Sequence, residues 1–216
     1  MGKYTYILFD LDGTLTQSAE GIVNSVLYSL KKNGIKEQDR EKLLEFVGPP
    51  LKDSLEKYYG ITEERTAPFI DAFHEYFRER GWKENRVYEG IPQALAKLKE
   101  GGCRLVLATS KPEIFAKQIM DYFDLAKYFD FIGGSSMDGT VSSKGEVISY
   151  VLDQIGRGHL EEMVMVGDRE HDVKGARENG LPCIGVLYGY GTRAELERAG
   201  AAAICPGVDR LPEYLL

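Results

Sequence analysis

Hydrophobic and polar positions alternate along most of this chain in two rhythms. The opening run Tyr4-Thr5-Tyr6-Ile7-Leu8-Phe9 is aromatic and β-branched and stops at Asp10, which reads as a strand. Five more short apolar runs read the same way: 103–109, 129–132, 163–166, 182–187 and 201–205. Between them, 92–99, 114–123, 145–155 and 173–179 carry apolar residues at helical spacing. Gly101, Gly156 and Gly180 follow three of these segments, as glycine does after a helix. Strands alternating with helices predict a parallel α/β sheet, and continuous apolar strands such as Leu105-Val106-Leu107 suit a sheet covered on both faces.

The rhythm breaks between about Glu20 and Arg86. Ile22, Val26, Leu27 and Leu30 form one helical stripe, which Tyr28 fits less well, and 43–47, 51–59 and 67–77 form further helical segments. No strand pattern interrupts them. The simplest organisation is an all-helical insert, residues 17–86, placed after the first strand of a core built from 1–16 and 87–216.

Composition narrows the function. The formal net charge of −7 lacks the basic excess of a nucleic-acid-binding protein, so no nucleic-acid partner is expected. An anionic substrate would need cations or backbone N–H groups close by. No run approaches the length of a membrane span, and the N-terminus lacks a leader pattern, so a cytoplasmic protein with no membrane partner is expected. Cys103, Cys183 and Cys205 match no zinc spacing and read as small buried hydrophobes in a reducing compartment.

The polar clusters sit where strands end. Asp10-Leu11-Asp12-Gly13-Thr14 follows the first strand, and ligands of open α/β sheets bind beyond the carboxyl ends of the strands. Two carboxylates two positions apart on extended chain face the same way, roughly 6–7 Å apart, with room for a phosphoryl group between them. Taken alone, the Asp-Gly dipeptide reads better as an acidic turn; two acids directly after a buried strand make that reading less comfortable, since they would repel without a cation between them. Gly167-Asp168-Arg169-Glu170-His171-Asp172 follows the 163–166 run and offers the carboxylates a hard cation such as Mg²⁺ prefers. Asp172 reads almost as well as the cap of its own helix, His171 as an exposed helix-start residue, and Arg169 as an ion-pair partner. Thr109 and Ser110 end another strand, where hydroxyls and helix-start N–H groups can hold phosphate oxygens. Lys144 precedes a helix and, by itself, reads as solvated. Together these clusters supply a nucleophile, an acid, cation ligands, hydroxyls and one fixed positive charge.

In that combination the sequence resembles the haloacid dehalogenase superfamily over essentially its whole length. Asp10-Leu11-Asp12-Gly13-Thr14, Thr109, Lys144 and Gly167-Asp168…Asp172 stand in the order and at the spacing of its four motifs. The resemblance implies a Rossmann-like, doubly wound parallel sheet with an inserted all-helical cap closing over the site. It implies Asp10 as nucleophile and Mg²⁺ ligand, and Asp12 as general acid/base with a carbonyl on the metal. Thr109 and Lys144 would bind phosphate, Asp168 the metal, and Asp172 the metal's waters. Retention of Asp12 favours phosphoryl transfer over dehalogenation. Val47-Gly48-Pro49-Pro50-Leu51 and the 167–172 motif resemble the branch of phosphoglycolate phosphatases and 5′-nucleotidases, from which Gln17 departs where an acid is common. The expected activity is a Mg²⁺-dependent phosphatase acting on a small phosphorylated metabolite, with Gly48 and Lys52 as candidate specificity residues. A sugar phosphomutase on the same core, or a noncatalytic phospholigand-binding module, are the other readings.

Overall fold

The computed structural model describes residues 3–216. The chain divides into two compact units, Gln17–Arg86 and Met1–Thr16 with Val87–Leu216.

The first unit is helical: α1 (Ala19–Lys32), α2 (Arg40–Leu44), α3 (Leu51–Tyr59) and α4 (Glu63–Tyr76), followed by a π-helical turn at Phe77–Gly81. α1 buries Ile22, Val23, Val26 and Leu30, one face at helical spacing, and Ser29 Oγ donates to the carbonyl of Phe69 on α4 at 2.6 Å. Asp39 caps α2 by accepting from the N–H groups of Glu41 and Lys42. Tyr58 and Tyr59 pack on Phe46 with ring centroids 5.7 and 6.1 Å apart, so these aromatics serve the unit's own packing. α2 and α4 both begin earlier than the apolar periodicity suggests, at Arg40 and Glu63, because their first turns are polar and exposed.

The second unit carries a six-stranded sheet in the order β3-β2-β1-β4-β5-β6, all parallel. The strands are β1 (Tyr6–Phe9), β2 (Arg104–Pro112), β3 (Phe129–Ser135), β4 (Met163–Gly167), β5 (Cys183–Val186) and β6 (Ala203–Cys205). The helices are α5 (Ile91–Glu100), α6 (Glu113–Tyr122), α7 (Lys144–Ile155), α8 (Glu170–Glu178), α9 (Arg193–Ala199) and α10 (Leu211–Leu215). This is the doubly wound, Rossmann-like arrangement, whose strand order reverses at β1 and β4. Leu8, Val106 and Met165 face α7, α8 and α9 in one apolar layer with Val147, Val151, Val173 and Leu196. Ile7, Phe9, Leu105 and Leu107 alternate to the other face and are equally buried. Cys103, Cys183 and Cys205 are buried free thiols.

Register fixes the site. Phe9 pairs with Leu107 on one side and Val166 on the other, so Asp10, Ala108 and Gly167 stand side by side at one level. Thr16 and Val87 pair side by side where the chain leaves and re-enters this unit. β2 outruns its expected end at Thr109 and reaches Pro112 after a register shift.

Candidate active site

At the carboxyl end of β1 the chain folds back at once: the N–H groups of Leu15 and Thr16 donate to the Leu11 carbonyl at 2.9 and 3.0 Å. Gly13 makes this possible, with φ at +84°, and a Cβ there would stand 2.3 Å from Asp168 Oδ2. The turn therefore brings β1 and β4 residues into direct contact. Thr14 Oγ1 donates to Asp168 Oδ1 at 3.4 Å, and the Tyr190 N–H donates to Asp168 Oδ2 at 2.7 Å. Sequence reasoning gave Thr14 and Tyr190 no catalytic role; the threonine sits inside the motif, but a backbone N–H 22 residues downstream leaves no signal.

Lys144 opens α7, and the Ser143–Glu146 capping box holds that first turn in place. Its ammonium is not solvated: the residue is 6% exposed, with Nζ 2.7 Å from Asp10 Oδ1 and 2.9 Å from Asp172 Oδ1. It also donates to the Ala108 carbonyl at 3.1 Å. Burial alone would push this ammonium down, but Asp10 and Asp172 outweigh it and hold its pKa above the ordinary lysine value. Asp10 moves the other way. Burial raises its carboxyl to about 6, with Lys144 pulling it down and Asp172 and Asp12 pushing it up. Asp168, fully buried, is raised well above the usual carboxylate range by burial and by Asp172 and Asp10.

Asp172 takes the helix-start use read from the sequence and adds an ion pair that was not read there. Its Oδ2 accepts from the Arg169 N–H at 3.0 Å at the start of α8, and its Oδ1 faces Lys144. Arg169 pairs with Glu195 at 2.9 Å. His171 is half-buried rather than exposed, because α8 begins at Glu170 and draws it into the first turn, and burial lowers its pKa. Thr109 is 1% exposed and its hydroxyl accepts from the Lys111 N–H at 3.3 Å. The Ser110 hydroxyl oxygen is buried with no hydrogen-bond partner among the described residues. Lys111, which the sequence reading passed over, lies 2.9 Å from Asp12. The lysine stands two positions beyond Thr109, in the part of β2 displaced by the register shift.

Asp10, Asp168 and Asp172 each offer an oxygen within 4.8 Å of the others. An all-oxygen, anionic, buried donor set suits a hard divalent cation. The unfavourable crowding of these carboxylates, visible in the raised Asp10 and Asp168, is what such an ion would relieve. A second cluster of potential ligands among the described residues, His159, Glu161 and Glu162, is mostly exposed. In the helical unit, Gly48 has a left-handed φ of +106° and Lys52 lies 3.8 Å from Glu63. No helix among the described residues is long and apolar enough to cross a membrane.

A family model described as haloacid dehalogenase-like hydrolase matches residues 7–186. A 5′-nucleotidase of Pseudomonas aeruginosa is 43% identical over 213 residues, covering 99% of this chain and 96% of its own. The tyrosine-protein kinase PtkA of Mycobacterium tuberculosis is 36% identical, with 97% of this chain and 72% of that protein covered. A crystal structure from Clostridium acetobutylicum, described as a predicted phosphatase, is 51% identical with a TM-score of 0.95, covering 98% and 97% of the two chains.

Proposed function

The chain belongs to the haloacid dehalogenase-like hydrolase family, and from that premise we propose a Mg²⁺-dependent phosphatase of small phosphomonoesters that works through an aspartyl phosphate on Asp10. The observation that carries the reading is the buried Asp10 carboxylate, 2.7 Å from Lys144 and grouped with Asp168 and Asp172. A structural ion pair needs one carboxylate, whereas this cluster gathers more anionic charge than its lysines balance.

Phosphoryl transfer asks mainly for positioning and charge cancellation. An Asp10 oxygen attacks phosphorus while Lys144, Thr109 and Ser110 hold the non-bridging oxygens. The bond from phosphorus to the leaving oxygen breaks, its electron pair stays on that oxygen, and Asp12 supplies the proton. In the second half, Asp12 takes a proton from water as the water oxygen attacks phosphorus. The bond to Asp10 then breaks, returning a carboxylate and inorganic phosphate. Asp10, the Asp12 carbonyl and Asp168 would hold the metal, with Asp172 ordering its waters, and a bound divalent cation would neutralise phosphoryl charge.

For the substrate, the likeness to a 5′-nucleotidase at 43% identity favours a nucleoside 5′-monophosphate, with phosphoglycolate as the second candidate. Phosphate release is measured from a panel of both, with p-nitrophenyl phosphate as the generic substrate. Turnover should require Mg²⁺, stop in EDTA, and vanish in Asp10→Asn together with the phosphoenzyme. Near-normal turnover by Asp10→Asn refutes the nucleophile, and isomerised sugar phosphate without released phosphate replaces the phosphatase by a mutase.

A further inference from the structure

We infer that Lys111 is a positioning residue for Asp12, fixing which carboxylate oxygen is presented to the reacting group. The inference rests on the proposed function. Lys111 Nζ stands 2.9 Å from Asp12 Oδ2, with the two side chains 6% and 9% exposed. The other oxygen, Oδ1, is buried and has no hydrogen-bond partner among the described residues. One oxygen is therefore gripped and the other is left to exchange a proton with a leaving group or a water. A carboxylate turning about its last torsion presents either oxygen, because that torsion is broad and two-fold. The ammonium removes the choice.

The backbone is shaped to deliver this lysine. β2 and β3 lose register between Thr109 and Pro112, and such a bulge re-aims the side chains beside it. Ser135 Oγ on β3 donates to the Ser110 carbonyl at 2.8 Å, pinning the bulge from outside. A Cβ on Gly134 would stand 2.5 Å from the Lys111 carbonyl, so only glycine lets the displaced β2 tail cross there. Lys144 is engaged with Asp10 and Asp172, which leaves Lys111 as the ammonium that addresses Asp12.

The test separates proton delivery from phosphate binding. Phosphoenzyme formation and decay are followed by rapid quench in the Mg²⁺-loaded full chain, for Lys111→Met and Lys111→Arg. The nucleoside of a 5′-monophosphate would leave as an alkoxide and needs the proton, whereas p-nitrophenyl phosphate releases a stable phenolate. Lys111→Met should slow phosphoenzyme formation from the nucleotide about 100-fold, the lower range for a placed general acid. Formation from p-nitrophenyl phosphate should keep its wild-type rate, decay by water should slow after either substrate, and the substrate dissociation constant read from the concentration dependence of formation should hold. Lys111→Arg should recover most of the loss and remains readable if Lys111→Met does not fold. Equal slowing of formation with both substrates, a weaker substrate dissociation constant at unchanged formation rate, or no slowing at all overturns the assignment. A wild-type chain that forms no phosphoenzyme overturns the phosphatase reading first and this inference with it.

Discussion

Lys144 and Asp10 meet at 2.7 Å although one opens α7 and the other directly follows β1. The pair is buried, and Lys144 reaches Asp172 as well, so one ammonium holds together two carboxylates that would otherwise repel. Removing it exposes their repulsion. Lys144→Met should lower kcat by about 100–1000-fold, as loss of a fixed charge facing a developing anion does. It should destabilise the metal-free protein by about 3–5 kcal/mol, the usual result of breaking a buried pair from one side. Urea denaturation in EDTA reads the second effect, and a variant as stable as wild type would show that the pair is not holding the cluster together.

Gly13 tests the contact between the two strand ends. Alanine there must adopt a φ of +84° and place its Cβ 2.3 Å from Asp168 Oδ2. The backbone alone costs about 1–2 kcal/mol, and the clash forces Asp168 away. Gly13→Ala should lose at least about 2 kcal/mol of stability and bind Mg²⁺ more weakly by calorimetric titration. Unchanged metal affinity with reduced stability would mean that Asp168 is not held where the ion binds.

The sheet was legible because its strands are short apolar runs that end in polar residues, as Tyr6–Phe9 ends at Asp10. Lys144 was legible only in company. A lysine after two serines looks solvated, and nothing local announces that α8 brings Asp172 against it. Lys111 was hidden by the Ser-Lys-Pro sequence, which imitates a helix start, while the bulge that keeps β2 extended depends on Gly134 in the neighbouring strand. Asp172 was ambiguous because a helix cap and a carboxylate serving a cation require the same residue at the same place; it bonds the start of α8, and its pairing with Lys144 left no mark in the sequence.

The raised carboxyl of Asp10 gives the metal-free protein a pH signature. Its folded value of about 6 lies above the ordinary 3.8, so the native state holds the proton more tightly than the unfolded chain. The associated stability is fully present below about 3.8 and is lost as pH rises through 6. In EDTA the wild type should therefore lose on the order of 2–3 kcal/mol between pH 4 and 7 relative to Asp10→Asn, measured by parallel denaturation curves. Saturating Mg²⁺ should remove most of that loss, because the ion takes the place of the proton. Parallel pH profiles for the two proteins in EDTA would show that Asp10 ionises at its ordinary value.

Pro68 sits well inside α4, which runs from Glu63 to Tyr76. A reading from sequence starts that helix near Ala67, since proline suits a first turn and breaks an interior one. The helix instead starts earlier: Thr62 is extended at its N-cap, and Thr66 Oγ1 donates back to the Glu63 carbonyl at 2.8 Å. Pro68 is exposed, so its ring supplies little packing. Alanine restores an N–H to the helix ladder and relieves the ring's clash with the preceding turn, gaining up to about 3 kcal/mol. The looser unfolded chain gives back about 0.4–1 kcal/mol. Pro68→Ala should therefore stabilise the helical unit by about 2 kcal/mol, seen as slower hydrogen exchange of α4 amides, with no change in kcat on p-nitrophenyl phosphate. Faster exchange in the variant would mean that the proline is set there for rigidity and that α4 has already adapted to it.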